Sequence, residues 1–238
     1  MDRKELINIR LDLISRTFHP DAIPCLVAVS KTRPVDDIFH AYQAGIRDFG
    51  ENRVEELESK ASALHEMGID DINWHFIGKL QSKKIGRLLN IEALKAIHSV
   101  DSLSLLQKLI DADKRGKAKC RDVDLFIQVN TSGETEKSGF VDWDDLASAV
   151  NLLASEKPPF TLRGLMTMSK MRTETFTDDA LKCFNQLQRI RDKLVEDFAI
   201  EGLKLSMGMS NDYEIALNVG TDYIRLGSVL FAPQVSGE

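Results

Sequence analysis

Cysteine is scarce in this sequence: Cys25, Cys120 and Cys183 are the three in 238 residues, and no two are close. An odd, scattered set makes no disulfide framework and fits reduced thiols. Positive charge is not in excess either, with 31 Lys and Arg against 37 Asp and Glu, a net charge of −6. A nucleic-acid-binding face needs concentrated basic residues. The nearest cluster is Lys114, Arg115, Lys117, Lys119 and Arg121. It follows an apolar helical stretch, where positive charge suits a helix C-terminus. Long apolar runs are missing too. Nothing approaches the roughly 18 uncharged apolar residues of a membrane span. Residues 1–5 lead into a mixed polar helix with no apolar h-region, so no signal peptide is expected. These absences predict a cytoplasmic protein with neither nucleic acid nor membrane as partner.

What is present is ordinary globular composition, 43% hydrophobic and 29% charged. Residues 3–17 read as an amphipathic helix with Leu6, Ile9, Leu13 and Ile14 on one face. Residues 24–30 (PCLVAVS) are almost wholly apolar, as in a strand buried on both sides. The alternation then repeats. Strands are expected at 47–51, 73–78, 94–100, 123–130, 162–167, 203–207 and 223–226. Helices are expected at 35–44, 53–67, 82–89, 102–115, 142–155, 177–199 and 211–218. Eight strands separated by helical sequence predict a single (β/α)8 TIM barrel with an extra N-terminal helix. Such a barrel takes about 250 residues, so residues 1–238 form one domain. An open doubly wound sheet would carry a Gly-rich loop after its first strand. Here that strand ends Ser30-Lys31-Thr32-Arg33-Pro34, without glycine.

Barrel active sites sit where strands end. The first strand reaches Lys31 there, either as a solvated rim residue or as an amine in the mouth that can attack an aldehyde. Asn52 ends the second strand and could flank a ring or cap the next helix. His75, between Trp74 and Phe76, reads as a satisfied core residue. The seventh strand ends Ser206-Met207-Gly208-Met209-Ser210, a turn leading to a helix N-terminus that suits phosphate. The eighth ends Arg225-Leu226-Gly227-Ser228, where Gly227 allows close backbone approach and Ser228 adds a hydroxyl. Barrels commonly bind phosphate at these last two loops. Arg225 lies within an apolar strand and stays charged, so it needs a partner. The long polar loop 130–139 is either a lid or plain solvated chain.

Five motifs, in order along nearly the whole chain, carry a resemblance. They are Ala28-Val29-Ser30-Lys31-Thr32, Phe49-Gly50-Glu51-Asn52, His75-Phe76-Ile77-Gly78-Lys79-Leu80-Gln81, Leu205-Ser206-Met207-Gly208-Met209-Ser210 and Arg225-Leu226-Gly227-Ser228. The chain resembles the pyridoxal phosphate homeostasis protein family. The resemblance implies a barrel like the N-terminal domain of alanine racemase, with pyridoxal 5′-phosphate as cofactor. It implies a Schiff base on Lys31, Asn52 beside the ring, and Arg225 at the pyridine nitrogen. Ser206, Met209, Ser210, Gly227 and Ser228 complete the implied cofactor site, the last three at the phosphate.

Racemisation on this cofactor needs two bases, and Lys31 would be one. None of Tyr42, Tyr213 and Tyr223 is an evident second. A cation at the ring nitrogen also weakens the ring as an electron sink. The expected function is therefore holding the vitamin B6 cofactor for intracellular homeostasis, with PLP-dependent apoenzymes as possible recipients. The alternatives are a racemase-like enzyme and a Schiff-base aldolase barrel. With no apolar helix face left over, the chain is expected to be a monomer.

Overall fold

The computed structural model describes residues 2–116, 118–170 and 173–233. Strands and helices alternate as the apolar runs require. The strands are β1 (Cys25–Val29), β2 (Asp48–Glu51), β3 (Asn73–Phe76), β4 (Leu94–Val100), β5 (Val123–Gln128), β6 (Phe160–Met166), β7 (Lys204–Met209) and β8 (Tyr223–Leu226). The helices are α1 (Arg3–Ser15), α2 (Val35–Gln43), α3 (Val54–Glu66), α4 (Ile85–Leu89), α5 (Leu103–Lys114), α6 (Trp143–Glu156), α7 (Phe176–Phe198), α8 (Tyr213–Val219) and α9 (Ser228–Phe231). The strands close into a parallel barrel in sequence order. β1 completes it by pairing with β8, Cys25 opposite Tyr223 and Ala28 opposite Leu226.

Two apolar layers result. The larger lies between the strands and the surrounding helices, and includes Phe49, Trp74, Leu125 and Phe184. The smaller fills the barrel itself with Ala96, Phe126 and Met166, against which Met168 and Tyr223 pack. Polar residues share that inner space: His75, His98, Ser206 and Arg225 are all buried. All the parallel strands end on one face, and that face carries the site.

Three local differences from the expected elements have physical causes. β7 runs through Gly208 to Met209, because Gly208 takes φ +94° and its pairing with β8 shifts register between Ser206 and Met209. This has the form of a bulge, which re-aims the strand without ending it. The short helix α9 was not expected, since four residues carry no periodic pattern. The third difference is the packing face of α1.

The buried apolar positions of α1 are Ile7 and Ile14, while Ile9 is 46% and Leu13 56% exposed. The inner stripe is Arg3, Ile7, Arg10 and Ile14. Hydrophobicity alone misassigns this face, because two of its residues are arginines with buried work. Arg3 donates to both oxygens of Asp37 at 2.8 Å, and to the carbonyls of Phe231 at 2.8 Å and Ala232 at 3.1 Å. Arg10 donates to the carbonyls of Leu230 at 2.9 Å and Ala232 at 2.6 Å. These carbonyls end α9, where a helix has acceptors without intrahelical partners. The exposed Ile9 and Leu13 also remove the premise for expecting a monomer, since an apolar pair does face solvent.

Arg10→Ala is expected to lower the unfolding free energy by about 1–3 kcal/mol, through loss of charge-assisted hydrogen bonds. Urea denaturation measures it. An unchanged midpoint would mean that α1 does not brace α9.

Candidate functional site

A cavity of about 450 Å³ opens where the strands end. Its walls include Val29, Lys31, Asn52, Ile77, Gly78, Met166, Met168, Met209, Ser210, Arg225, Gly227 and Ser228. A larger hollow of about 600 Å³ lies outside the barrel along α3, lined by Leu64, Ile69, Trp74, Glu58 and Asp70 among others. It holds no lysine or arginine on its walls. The strand-end cavity combines an amine, a guanidinium and the hydroxyls of Ser210 and Ser228, which makes it the candidate site.

Lys31 follows β1 and is exposed. The chain turns sharply after it, with Thr32 at φ +62°. A β-branched residue rarely adopts that conformation. Its N–H is held by Glu56 Oε2 at 3.1 Å. That bond, first among several causes, lowers the Glu56 carboxyl below its usual range.

Beneath this turn is a buried ion pair. Lys60 Nζ donates to Glu51 Oε1 at 2.7 Å and to the Ser30 carbonyl at 2.9 Å. The Ser30 hydroxyl donates to the same carboxylate oxygen at 2.8 Å. The other oxygen, Glu51 Oε2, is buried without a hydrogen-bond partner. Burial pushes the Glu51 carboxyl up, against the pull of Lys60 and Ser30. The pair locks the end of β1 to the end of β2 and so places Lys31 beside Asn52. Neither Glu51 nor Lys60 was picked out as a site residue from the sequence. A signal existed: Lys60 lies on the buried face of α3 with Leu57 and Leu64, and a lysine there needs a buried acceptor.

Asn52 does not cap α3. The helix begins one residue later, with Arg53 at the N-cap and no side-chain cap bond. The Asn52 side chain is thus left to the cavity. Gly78 crosses its backbone closely: an added Cβ would lie 2.1 Å from the Asn52 carbonyl oxygen. The opposite rim is built by β7, β8 and α9. Ser210 does not cap α8 either, because Asp212 stands at that position. Instead the Ser210 hydroxyl oxygen accepts from the N–H groups of Gly227 at 3.2 Å and Val229 at 3.4 Å. Two backbone donors therefore converge on one point at the start of α9. The Ser228 side chain is exposed beside them.

Arg225 is 4% exposed and makes no salt bridge among the described residues. Nη1 donates to Ser206 Oγ at 2.6 Å and Nη2 to the Thr167 carbonyl at 2.8 Å. Burial lowers its pKa to about 10, so it remains a cation at neutral pH. Ser206 is fully buried and does not line the cavity; it lies behind the wall and holds Arg225. Met209 is on the wall, with Met166 and Met168. No group of His, Cys, Asp and Glu suited to a metal ion occurs among the described residues. Loop 130–139 is anchored by Lys137, which donates to the Ser169 carbonyl at 2.5 Å and meets Glu134 at 2.6 Å.

With this geometry in place, relatives can be compared. The sequence matches the alanine racemase N-terminal domain family over residues 8–234. It is 36% identical over 215 residues to a mouse protein named pyridoxal phosphate homeostasis protein, covering 89% of this chain and 77% of that one. This chain belongs to the pyridoxal phosphate homeostasis protein family. PipY of Synechococcus elongatus has been solved with PLP bound; it is 33% identical, with a TM-score of 0.81 over 95% of this chain and all of that one. Alanine racemase of Clostridium difficile, at 15% identity, shares the fold with a TM-score of 0.75 over 98% of this chain and 60% of its own. The expected barrel and family are both borne out. No described helix is long and apolar enough to cross a membrane.

Removing one partner of the buried pair leaves an uncompensated charge. Lys60→Met is expected to cost about 3–5 kcal/mol of unfolding free energy, and Glu51→Gln with Lys60→Met distinctly less. Urea titration of both variants checks this; equal losses would show that the pair itself is not the cause.

A second prediction concerns pH. His98 is fully buried, and burial, then His75 and Arg225, hold its pKa well below 6.5. The unfolded chain then binds a proton that the folded one refuses. Stability from this residue is complete above pH ~6.5 and declines as pH falls below it, by up to about 1.4 kcal/mol per unit. His98→Gln is expected to flatten that slope between about pH 6.5 and 5. An identical slope in chemical denaturation would show that His98 is not its source.

Proposed function

We propose that this family member holds pyridoxal 5′-phosphate in the strand-end cavity and releases it for intracellular vitamin B6 homeostasis, with PLP-dependent apoenzymes as recipients. One observation carries the reading. A single cavity is walled by one primary amine, one buried guanidinium without a carboxylate in contact, and the hydroxyls of Ser210 and Ser228 at the start of α9. The donor set fits the cofactor's three polar ends. The name of the mouse relative and the PLP-bound structure of PipY support the same choice of ligand.

Bound there, the cofactor supplies an aldehyde carbon that amines add to reversibly. Lys31 is the amine assigned to it. Because Lys31 is exposed, its ammonium form is solvated on release, which favours exchange. Ser210, Gly227 and Ser228 take the phosphate, through the two hydroxyls and close approach at Gly227, with Ser210 held in place by the N–H groups of Gly227 and Val229. Asn52 lies at one edge of the ring. Met166, Met168 and Met209 give it a soft, adaptable wall.

Arg225, on the cavity wall, would hold the ring nitrogen as a donor. A cation that keeps its own protons discourages protonation of that nitrogen. Electron withdrawal by the ring is then weak, and holding is favoured over chemistry at an amino-acid α-carbon. Among the described wall residues Lys31 is the sole amine, and no His, Tyr or Cys joins it.

Borohydride reduction of the protein incubated with PLP is expected to add one cofactor mass, on the peptide containing Lys31. Lys31→Ala is expected to take up none. Mass on another lysine, or a wild-type protein that takes up none, would end the proposal.

A further inference from the structure

Arg225 is joined to the opposite face of the barrel by a continuous file of side chains. Its Nη1 donates to Ser206 Oγ at 2.6 Å. Ser206 Oγ lies 2.9 Å from His98 Nδ1. His98 Nε2 lies 2.9 Å from His75 Nδ1. His75 Nε2 lies 2.9 Å from Asp48 Oδ1. Asp48 opens β2, at the strand-start face, and its side chain is 27% exposed. Ser206, His98 and His75 are all buried, and the ring of His98 stacks on Phe126 at 4.2 Å. The mechanism proposed above uses only the Arg225 end.

The chemistry of the two ends fixes the direction of the file. A guanidinium can only donate, and an ionised carboxylate can only accept. Between them lie four links. With both histidines neutral there are four protons to fill them: one from Arg225, one from Ser206, one from each ring. Only one arrangement uses each proton once. His75 carries its proton on Nε2 and gives it to Asp48. Its Nδ1 then accepts from His98 Nε2–H. His98 Nδ1 accepts from the Ser206 hydroxyl, and a Ser206 lone pair is left for Arg225. An extra proton on either ring would turn the Ser206 hydroxyl proton out of the file, away from the acceptor it has in His98 Nδ1. At His98, burial, then the neighbouring His75 and Arg225, act against that as well.

We propose that Asp48 is a remote positioning residue, which sets the hydrogen-bond direction at Arg225 from the far side of the barrel through His75, His98 and Ser206. With Ser206 held as an acceptor and the Thr167 carbonyl as a second, two of the five guanidinium N–H groups point into the protein. The plane of the group is then fixed, and the remaining donors are free for the cavity. The effect on the cofactor rests on the function proposed above. The tautomer pattern does not, so the two can fail separately.

The test uses the whole protein with ¹⁵N-labelled histidine. Two-bond nitrogen–proton correlation spectra report ring tautomers without any ligand. Wild type is expected to show neutral Nε2–H forms at both His75 and His98. Asp48→Ala is expected to lose that pattern at His98. Asn73→Ala removes a separate hydrogen bond to Asp48, 3.2 Å long, and is expected to keep the His98 pattern. After loading with PLP, Asp48→Ala and Ser206→Ala are expected to shift the absorption maximum in the same direction, and Asn73→Ala to leave it unmoved. An Nδ1–H tautomer at His98 in wild type overturns the proposal, and this needs no variant to fold. So does an unchanged His98 in Asp48→Ala. A changed tautomer with an unmoved absorption maximum overturns the transmission to Arg225. Failure to load PLP at all would count against the proposed function, while the ligand-free spectra still decide the direction of the file.

Discussion

A guanidinium kept inside a barrel without a carboxylate beside it is the constraint from which much of this structure follows. Arg225 cannot shed its charge at neutral pH, so every N–H needs an acceptor. The protein supplies Ser206 and the Thr167 carbonyl. Asp212 acts on it only at a distance; an acid in contact would have satisfied the charge outright and left nothing for a ligand. Its absence leaves donors for whatever enters the cavity. The inner layer of the barrel departs from an all-apolar filling for the same reason, since Ser206 in turn needs His98, and His98 needs His75.

The other side of the mouth solves a related problem in a different way. There the charges are paired, Lys60 with Glu51, and sealed under the turn that presents Lys31. The pair joins two strand ends and a helix, so the amine has a rigid base though its own side chain is solvated. One rim is thus a fixed cation and the other a supported, exchangeable amine. That division suits the holding and release of a cofactor proposed above.

Most of the barrel was legible in the sequence because each buried strand is a short apolar run and each helix has a periodic face. α1 was legible as a helix but not in its orientation. Its inner face holds Arg3 and Arg10, whose partners are backbone carbonyls, and no residue pattern announces a carbonyl. α9 escaped because four residues are too few for a period. Asn52 and Ser210 each offered a helix cap as the plainer reading, and in both cases the helix starts elsewhere, freeing the side chain. His75 was legible as a core residue. Asp48 and His98 belong to no recognisable motif, although each occupies a strand position that alternates inward, where a polar residue must find company. Lys60 could have been found in the same way on the inner face of α3.

The brace between α1 and α9 bears on the order of events during synthesis. The hydrogen bond from Arg3 to the Phe231 carbonyl spans 228 residues. Contacts so distant along the chain gain nothing until the intervening loop has been closed. A polypeptide still emerging from the ribosome can assemble strands and helices in turn, yet the α9 wall of the cavity is still unbraced. Competence to take up a ligand therefore arrives late and all at once, when the two extremities of the fold first meet.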